Sequence, residues 1–345
     1  MNNGDQLKKN KGRRMLWGIC IILCLLLLII AVAWWIMICM PGASYRGALP
    51  LADEHLRALE SDLRSDVAGL AVEIGERNVG NRLRQLAQAA NYIETRFIDA
   101  GYKVKRQGYE VFGHNCDNLE IEIVGTIKPE EIVIVGAHYD TALGTPGAND
   151  NTSGVAAMLA LARIFSKVKI DRTLRFVAFV NEEPPFFQTE QMGSRVYARQ
   201  CREKGENVVA MFSLETIGYY NDSPESQKYP PPFSFLYPSE GKFIGFIGNT
   251  TSRSLVRQTI ATFRQTERFP SEGAAIPALI PGVGFSDHWS FWQEGYPALM
   301  VTDTAMFRYP YYHELEDTID KIDFDRMARV VRGLGKVIIR LVRAD

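Results

Sequence analysis

The apolar residues of this chain fall into distinct patterns. From Met15 to Met40 they run unbroken as MLWGICIILCLLLLIIAVAWWIMICM, without a charge. At about 1.5 Å per helical residue that stretch is long enough to cross a hydrocarbon layer of about 30 Å. Further on, Leu83, Leu86, Ala90, Ile93 and Phe97 recur at helical spacing and stop before Gly101, which predicts an amphipathic helix with a glycine just past its end. LEIEI, from Leu119 to Ile123, alternates strictly, as a half-exposed antiparallel or edge strand does. Four runs, IVIVG, LRFVAFV, VVAMFSL and PALMV, are continuously apolar and predict central strands buried on both faces. Helical segments over 152–165, 192–202, 251–263 and 324–342 punctuate and follow them. The rhythm predicts an α/β fold, a three-layer α/β/α sandwich whose mixed, mostly parallel sheet carries helices on both faces. In such folds ligand sites gather at the carboxyl ends of the strands.

Composition adds an orientation. Lys8, Lys9, Lys11, Arg13 and Arg14 precede the apolar stretch against the single acid Asp5, while only Arg46 closely follows it. By the positive-inside rule, residues 1–14 form a cytoplasmic tail, 15–40 a transmembrane anchor and 41–345 one extracytoplasmic domain, periplasmic or extracellular. A retained anchor is preferred to a cleaved signal peptide, whose apolar region is shorter and ends in a small-residue cleavage site. The chain has 345 residues, 46% hydrophobic and 23% charged, with a pI of about 6.6. With the basic tail set aside it is net acidic, so no phosphate-neutralising surface is expected and nucleic acid is excluded as a partner. Outside the anchor only Cys116 and Cys201 remain, either as one disulfide or as two buried thiols.

The chemistry lies at the strand ends. After IVIVG come His138 and Asp140, and Asp150 follows in GANDNTSG; after LRFVAFV come Glu182 and Glu183; after VVAMFSL comes Glu215; across a loop from PALMV comes His313. Each residue alone has an ordinary reading as a solvated loop acid or a satisfied polar histidine. Several carboxylates at successive core-strand ends would repel one another unless a cation sits among them. Imidazole and carboxylate without thiolate suit zinc first, with manganese or cobalt as substitutes. Five ligands with one shared carboxylate suit two ions, a set able to activate water and polarise a carbonyl for amide hydrolysis. Within the adjacent pair Glu182-Glu183, one member can ligate while the other serves as general base.

The succession HYDT, GANDNTSG, NEE, LETIG, SDHWSF and YHELEDT resembles the co-catalytic zinc aminopeptidases, a superfamily that also contains glutaminyl cyclases and transferrin-receptor-like ectodomains. The match runs from about Glu130 to Val342. It implies an aminopeptidase with two zinc ions acting on peptide or aminoacyl substrates, which the apolar stretch would anchor to the membrane. His138, Asp150 and Glu215 would hold one ion and Asp150, Glu183 and His313 the other, with Asp150 bridging. Glu182 takes the general-base position, Asp140 orients His138, and Tyr312 stands where some members place a phenol near the tetrahedral oxyanion. His288 in SDHWSF reads as structural. Two departures stand out: many relatives carry Asp where Glu215 stands, and EEPPFFQTEQMGS is longer than the compact form of its motif. That loop is either a rigid surface loop or a rim of Phe186 and Phe187 over the cleft; residues 219–237 and 266–284 are further candidates for the pocket wall. The rival functions are a single-zinc glutaminyl cyclase and a receptor-like ectodomain that only binds.

Overall fold

The computed structural model describes residues 3–231 and 233–344, and the chain divides into two units, Met1–Cys39 and Met40–Asp345. The first unit holds one helix, α1 (Asn3–Met37). Its segment Arg13–Met37 is long and apolar enough to cross a membrane.

The second unit is built on an eight-stranded sheet. Its strands are β1 (Lys105–Val111), β2 (His114–Ile123), β3 (Lys128–His138), β4 (Arg172–Phe179), β5 (Asn207–Glu215), β6 (Ile244–Gly248), β7 (Ser271–Ala275) and β8 (Ala298–Thr302), in the spatial order β1-β2-β4-β3-β5-β8-β6-β7. The four continuously apolar runs supply β3, β4, β5 and β8. They lie side by side and parallel at the centre, where burial on both faces leaves no room for a polar alternation. Antiparallel β1 and β2 extend the sheet past β4, and β6 with β7 extends it past β8.

On one face lie α2 (Glu54–Val67), α3 (Leu83–Asp99), α4 (Gly154–Phe165), α6 (Arg253–Thr266) and α9 (Phe324–Val342); α5 (Gly193–Glu203) and α7 (His288–Gln293) cover the other. The periodic residues Leu86, Ala90, Ile93 and Phe97 of α3 are buried, and Gly101 takes the left-handed conformation, φ +93°, that lets the chain leave the helix. In α4 the sequence GVAAMLALARIF is buried almost throughout, its alanines allowing close approach to the sheet. At the start of α9, the Asp323 carboxylate accepts the Arg326 N–H at 3.0 Å. α8 (Ala305–Arg308) is a single turn after β8.

The alternation in LEIEI misstates one side chain. β2 is not at the edge, which belongs to β1, and Glu120 is buried because Tyr197 Oη donates to its carboxylate at 2.6 Å and Lys105 Nζ at 3.1 Å. Cys116 and Cys201 are both buried free thiols.

Candidate metal centre

The parallel strands all end on one side, and each contributes to a single cluster. His138 is the last residue of β3 and Glu215 the last of β5; Glu182 and Glu183 follow β4, and His313 lies in the loop after β8 and α8. Asp150 sits in the turn leading into α4. His138, Asp150, Glu182, Glu183 and Glu215 are buried, and His313 is partly exposed.

The two oxygens of Asp150 face different groups. Oδ1 lies 3.4 Å from His138 Nε2, which is also 3.3 Å from Glu215 Oε2. Oδ2 lies 3.1 Å from His313 Nε2, which is also 3.3 Å from Glu183 Oε2. Glu182 Oε2 is farther from His138 Nε2, at 3.9 Å. Each triad brings one ligand atom per residue within 4.8 Å of the others, and so does the combination of His138 with Glu182 and Glu183.

The backbone that presents these groups is tightly held. Asp317 accepts the Asn149 N–H (2.8 Å) and the Asp150 N–H (3.0 Å), and the Tyr309 hydroxyl donates to it at 2.7 Å. Gly147 has φ +63°, and a Cβ there would lie 2.3 Å from Asp150 O, so the turn needs glycine twice over. The Asn151 side chain donates to Leu214 O (2.8 Å) and accepts the Thr216 N–H (3.0 Å), tying the Asp150 turn to the end of β5. Asp140 accepts the N–H of Glu182 and of Glu183, both at 3.1 Å, and its Oδ1 is 3.5 Å from His138 Nδ1. Ser286 donates to Glu215 Oε2 at 2.7 Å. Asn181, Thr216 and His313 all have positive φ (58°, 47° and 61°), so strained backbone adjoins or includes a cluster residue on three of the contributing segments.

Burial pushes the Glu182 carboxyl well above the usual carboxylate range; the His138 imidazole opposes this, and Glu215 and Glu183 add to it. Burial likewise raises Glu215 to about 7 against the pull of His138. Burial disfavours the Asp150 charge too, yet the two imidazoles hold this carboxyl below its ordinary value. Burial pulls the His313 imidazole down, but the adjacent Asp150 and Glu183 carboxylates outweigh it and raise the group to about 10. The cluster is therefore a site of surplus negative charge in which imidazoles serve as the nearest counter-ions.

A divalent ion fits it better. Both ring nitrogens of His138, both oxygens of Asp150, Glu183 Oε1 and His313 Nε2 are buried without a hydrogen-bond partner, a costly state unless something else binds them. Ligands about 2.0–2.2 Å from a tetrahedral ion stand about 3.3–3.6 Å apart, close to the 3.1–3.4 Å spacings within the two triads.

The comparisons with known proteins bear on what such a cluster does. Residues 118–338 match the model of Peptidase family M28. This chain belongs to that family. It is 37% identical over 296 residues to the "Uncharacterized protein YfbL" of Escherichia coli, spanning 83% of this chain and 89% of that protein. It is 27% identical over 267 residues to a protein of Arthroderma otae named "Probable leucine aminopeptidase", spanning 72% of this chain and 65% of that one. In fold it is similar to BSAP, a zinc aminopeptidase from Bacillus subtilis, with a TM-score of 0.67, 16% identity, and 86% and 97% of the two chains covered. The M28 chain is a metallopeptidase of the aminopeptidase group, and its relatives and buried His, Asp and Glu cluster support zinc binding.

Tyr312 stacks on His313 at 3.9 Å, and burial beside Asp150 and Glu183 raises its phenol. It borders a cavity of about 110 Å³ that also touches Glu215. Both candidate wall segments contribute to this cavity, through Tyr229 and Tyr237 and through Ile276 and Ile280. The two phenylalanines of the long loop part company. Phe187 packs on Phe285 (5.5 Å), which lines the cavity, whereas Phe186 is buried against Phe112 (5.3 Å). His288 lies outside the cluster and hydrogen-bonds Val283 O at 2.7 Å. Sequence reasoning missed Asp317, Asn151 and Ser286. All three stand inside quoted motifs, YHELEDT, GANDNTSG and SDHWSF, and their polar character in otherwise structural positions was the available signal.

Proposed function

We propose that the M28 chain is a membrane-anchored aminopeptidase with two zinc ions, one held by His138, Asp150 and Glu215 and the other by Asp150, Glu183 and His313. The observation that carries this reading is the division of Asp150, whose two unpartnered oxygens each face a separate imidazole-carboxylate pair. Bound zinc supplies Lewis acidity toward the scissile carbonyl and toward water. Glu182 is the carboxylate beside both triads with its affinity for a proton raised by burial. It accepts the proton of the attacking water and returns it to the leaving amine. Asp140 fixes the backbone of Glu182 and Glu183, and the Tyr312 phenol donates toward the oxyanion of the tetrahedral species. The cavity beside Glu215 and Tyr312 takes the side chain of the N-terminal residue. Its lining of Phe243, Ile247, Met300 and Phe307 suits an aliphatic or aromatic group, and an engineered cavity of about 150 Å³ holds benzene.

The basic residues at the N-terminal end of α1, ahead of its apolar stretch, support a topology with residues 1–14 in the cytoplasm and 41–345 outside. A protease added to spheroplasts then digests the domain without membrane disruption. For the activity, the detergent-solubilised chain is assayed against aminoacyl anilides with and without chelator, beside elemental analysis. Two zinc ions per chain with chelator-sensitive release of the aniline is the expected result. One ion at saturation, with His138 dispensable, supports the cyclase reading instead.

A further inference from the structure

Arg77 lies before the stretch matched by the family model and carries one of the largest fully buried side chains of the molecule. Among the described residues no carboxylate lies within ion-pair distance of it. Its donors go elsewhere: Nε to Tyr139 O (2.5 Å), Nη1 to Gly75 O (3.0 Å) and Pro146 O (2.9 Å), Nη2 to Thr152 Oγ1 (2.6 Å) and, more distantly, Gly147 O (3.5 Å). Tyr139 stands between His138 and Asp140, while Gly147 and Thr152 bracket Asp150. The Arg77 main chain joins in, its N–H donating to Thr141 Oγ1 (3.1 Å) and its carbonyl accepting from Thr141 N–H (2.9 Å). Next to it, the Glu76 carboxylate accepts the Gly144 N–H at 2.9 Å. Glu76 and Arg77 thus grip the 139–152 loop from Tyr139 to Thr152.

We infer that Arg77 is a positioning residue of the zinc site: a buried cation, supplied by the N-terminal part of the domain, that fixes the loop bearing Asp140 and Asp150 and offsets the negative charge gathered there. A guanidinium stripped of water and given no anion in contact is unfavourable unless a surrounding field compensates it. That field comes from Asp140, Asp317, Asp150 and Glu183. Electrostatic interaction is reciprocal, so the guanidinium is a fixed positive charge that offsets part of the negative charge gathered at the loop. Hydrogen bonding supplies the second part of the argument. Five acceptors converge on a planar fork, an arrangement that the three donors of a lysine ammonium cannot reproduce.

The inference rests on the zinc reading, and its test separates the two. Full-length wild type, Arg77→Met, Arg77→Lys and Thr152→Val are purified in detergent, and zinc affinity is measured by competition with a chromophoric chelator, beside thermal unfolding with and without zinc. Outer partners of a metal site typically contribute about 10- to 100-fold in affinity. Arg77→Met is therefore expected to bind zinc about 10-fold or more weakly, and to gain fewer degrees from zinc than wild type. Arg77→Lys, which keeps the charge and loses the fork, falls between the two, and Thr152→Val weakens affinity by a smaller factor. If Arg77→Met binds zinc with wild-type affinity and gains the full zinc-dependent rise in Tm, however far its metal-free Tm has fallen, Arg77 is structural only and the inference fails. Should Arg77→Met not fold, Arg77→Lys and Thr152→Val decide, and wild-type affinity in both overturns it. Wild type that binds no zinc overturns the zinc reading itself, and this inference with it.

Discussion

Asp140 accepts the backbone N–H of Glu182 at 3.1 Å, across the ends of two neighbouring parallel strands. Its second oxygen takes the N–H of Glu183, so one carboxylate sets the direction of two consecutive acidic side chains. Asp140→Asn keeps the volume but turns a donor toward one of these N–H groups. The expected result is a loss of zinc affinity of about 10- to 100-fold with the fold retained, measured by chelator competition and circular dichroism. Unchanged affinity would mean that the strand ends hold themselves.

The adjacent glutamates differ in surroundings. Glu183 shares its partner His313 with Asp150, whereas Glu182 stands 3.9 Å from His138 and outside the two triads centred on Asp150. Glu182→Gln keeps shape and removes the proton acceptor. Its kcat should fall by about 10²- to 10⁴-fold with KM and zinc content little changed. Glu183→Gln should instead lose one equivalent of zinc, because a neutral amide is a poor substitute for an anionic ligand. Elemental analysis beside steady-state kinetics reads both, and the reverse pattern would exchange the two roles.

The centre of the fold was legible because parallel strands buried on both faces must be continuously apolar, and because chemistry in such sheets gathers where those runs end. The flanks were not. β6 reads IGFIG and β7 reads SEGAA, short and rich in glycine or alanine, and they become strands by pairing beside β8 rather than by their own preference. Glu120 looked exposed by alternation and is buried, since its partner Tyr197 arrives from a helix distant in sequence. The residues around Asp150 divided in the same way: ligand types announce themselves by motif, while Asp317 acts on Asp150 through a backbone contact that no local spacing reveals.

The cavity has a sheet floor whose register fixes its course. Glu215 pairs with Thr302, Thr302 with Gly245, and Gly245 with Glu272, one row running away from the cluster. Gly245 sits mid-row with the space its missing side chain leaves; a Cβ there would lie 3.2 Å from Thr302 O, a tight approach that the strand must ease by a few tenths of an ångström. Gly245→Leu is expected to fill the cavity and lower kcat/KM for leucyl and phenylalanyl anilides by about 10-fold or more, with alanyl anilide nearly unaffected. An equal loss on all three substrates would place the side chain of the N-terminal residue elsewhere.

His288 offers a test that does not involve the cluster. Its ring is fully buried, with Nε2 2.7 Å from Val283 O, Nδ1 without a partner and Trp292 edge-on at 4.5 Å, so the neutral form with its proton on Nε2 fits. Burial lowers its pKa to about 4, against 6.5 for a free imidazole. Between those values the unfolded chain binds a proton that the folded chain does not, so this group's contribution to stability is intact above pH 6.5 and falls as the pH drops toward 4. By linkage the full loss is about 3 kcal/mol. The neighbouring Asp287, raised by burial to about 7, acts with the opposite sign across the same window. The slope of wild type alone therefore mixes these with further raised carboxyls such as Glu215, Asp303 and Asp317, whereas the difference between wild type and a His288 variant isolates the histidine. His288→Gln keeps a donor for Val283 and cannot titrate. Its deficit at pH 7, from lost packing against Trp292, should shrink steadily by about 3 kcal/mol as denaturant unfolding is repeated down to pH 4. A deficit constant across that range would show that His288 is protonated or reached by water in the folded protein.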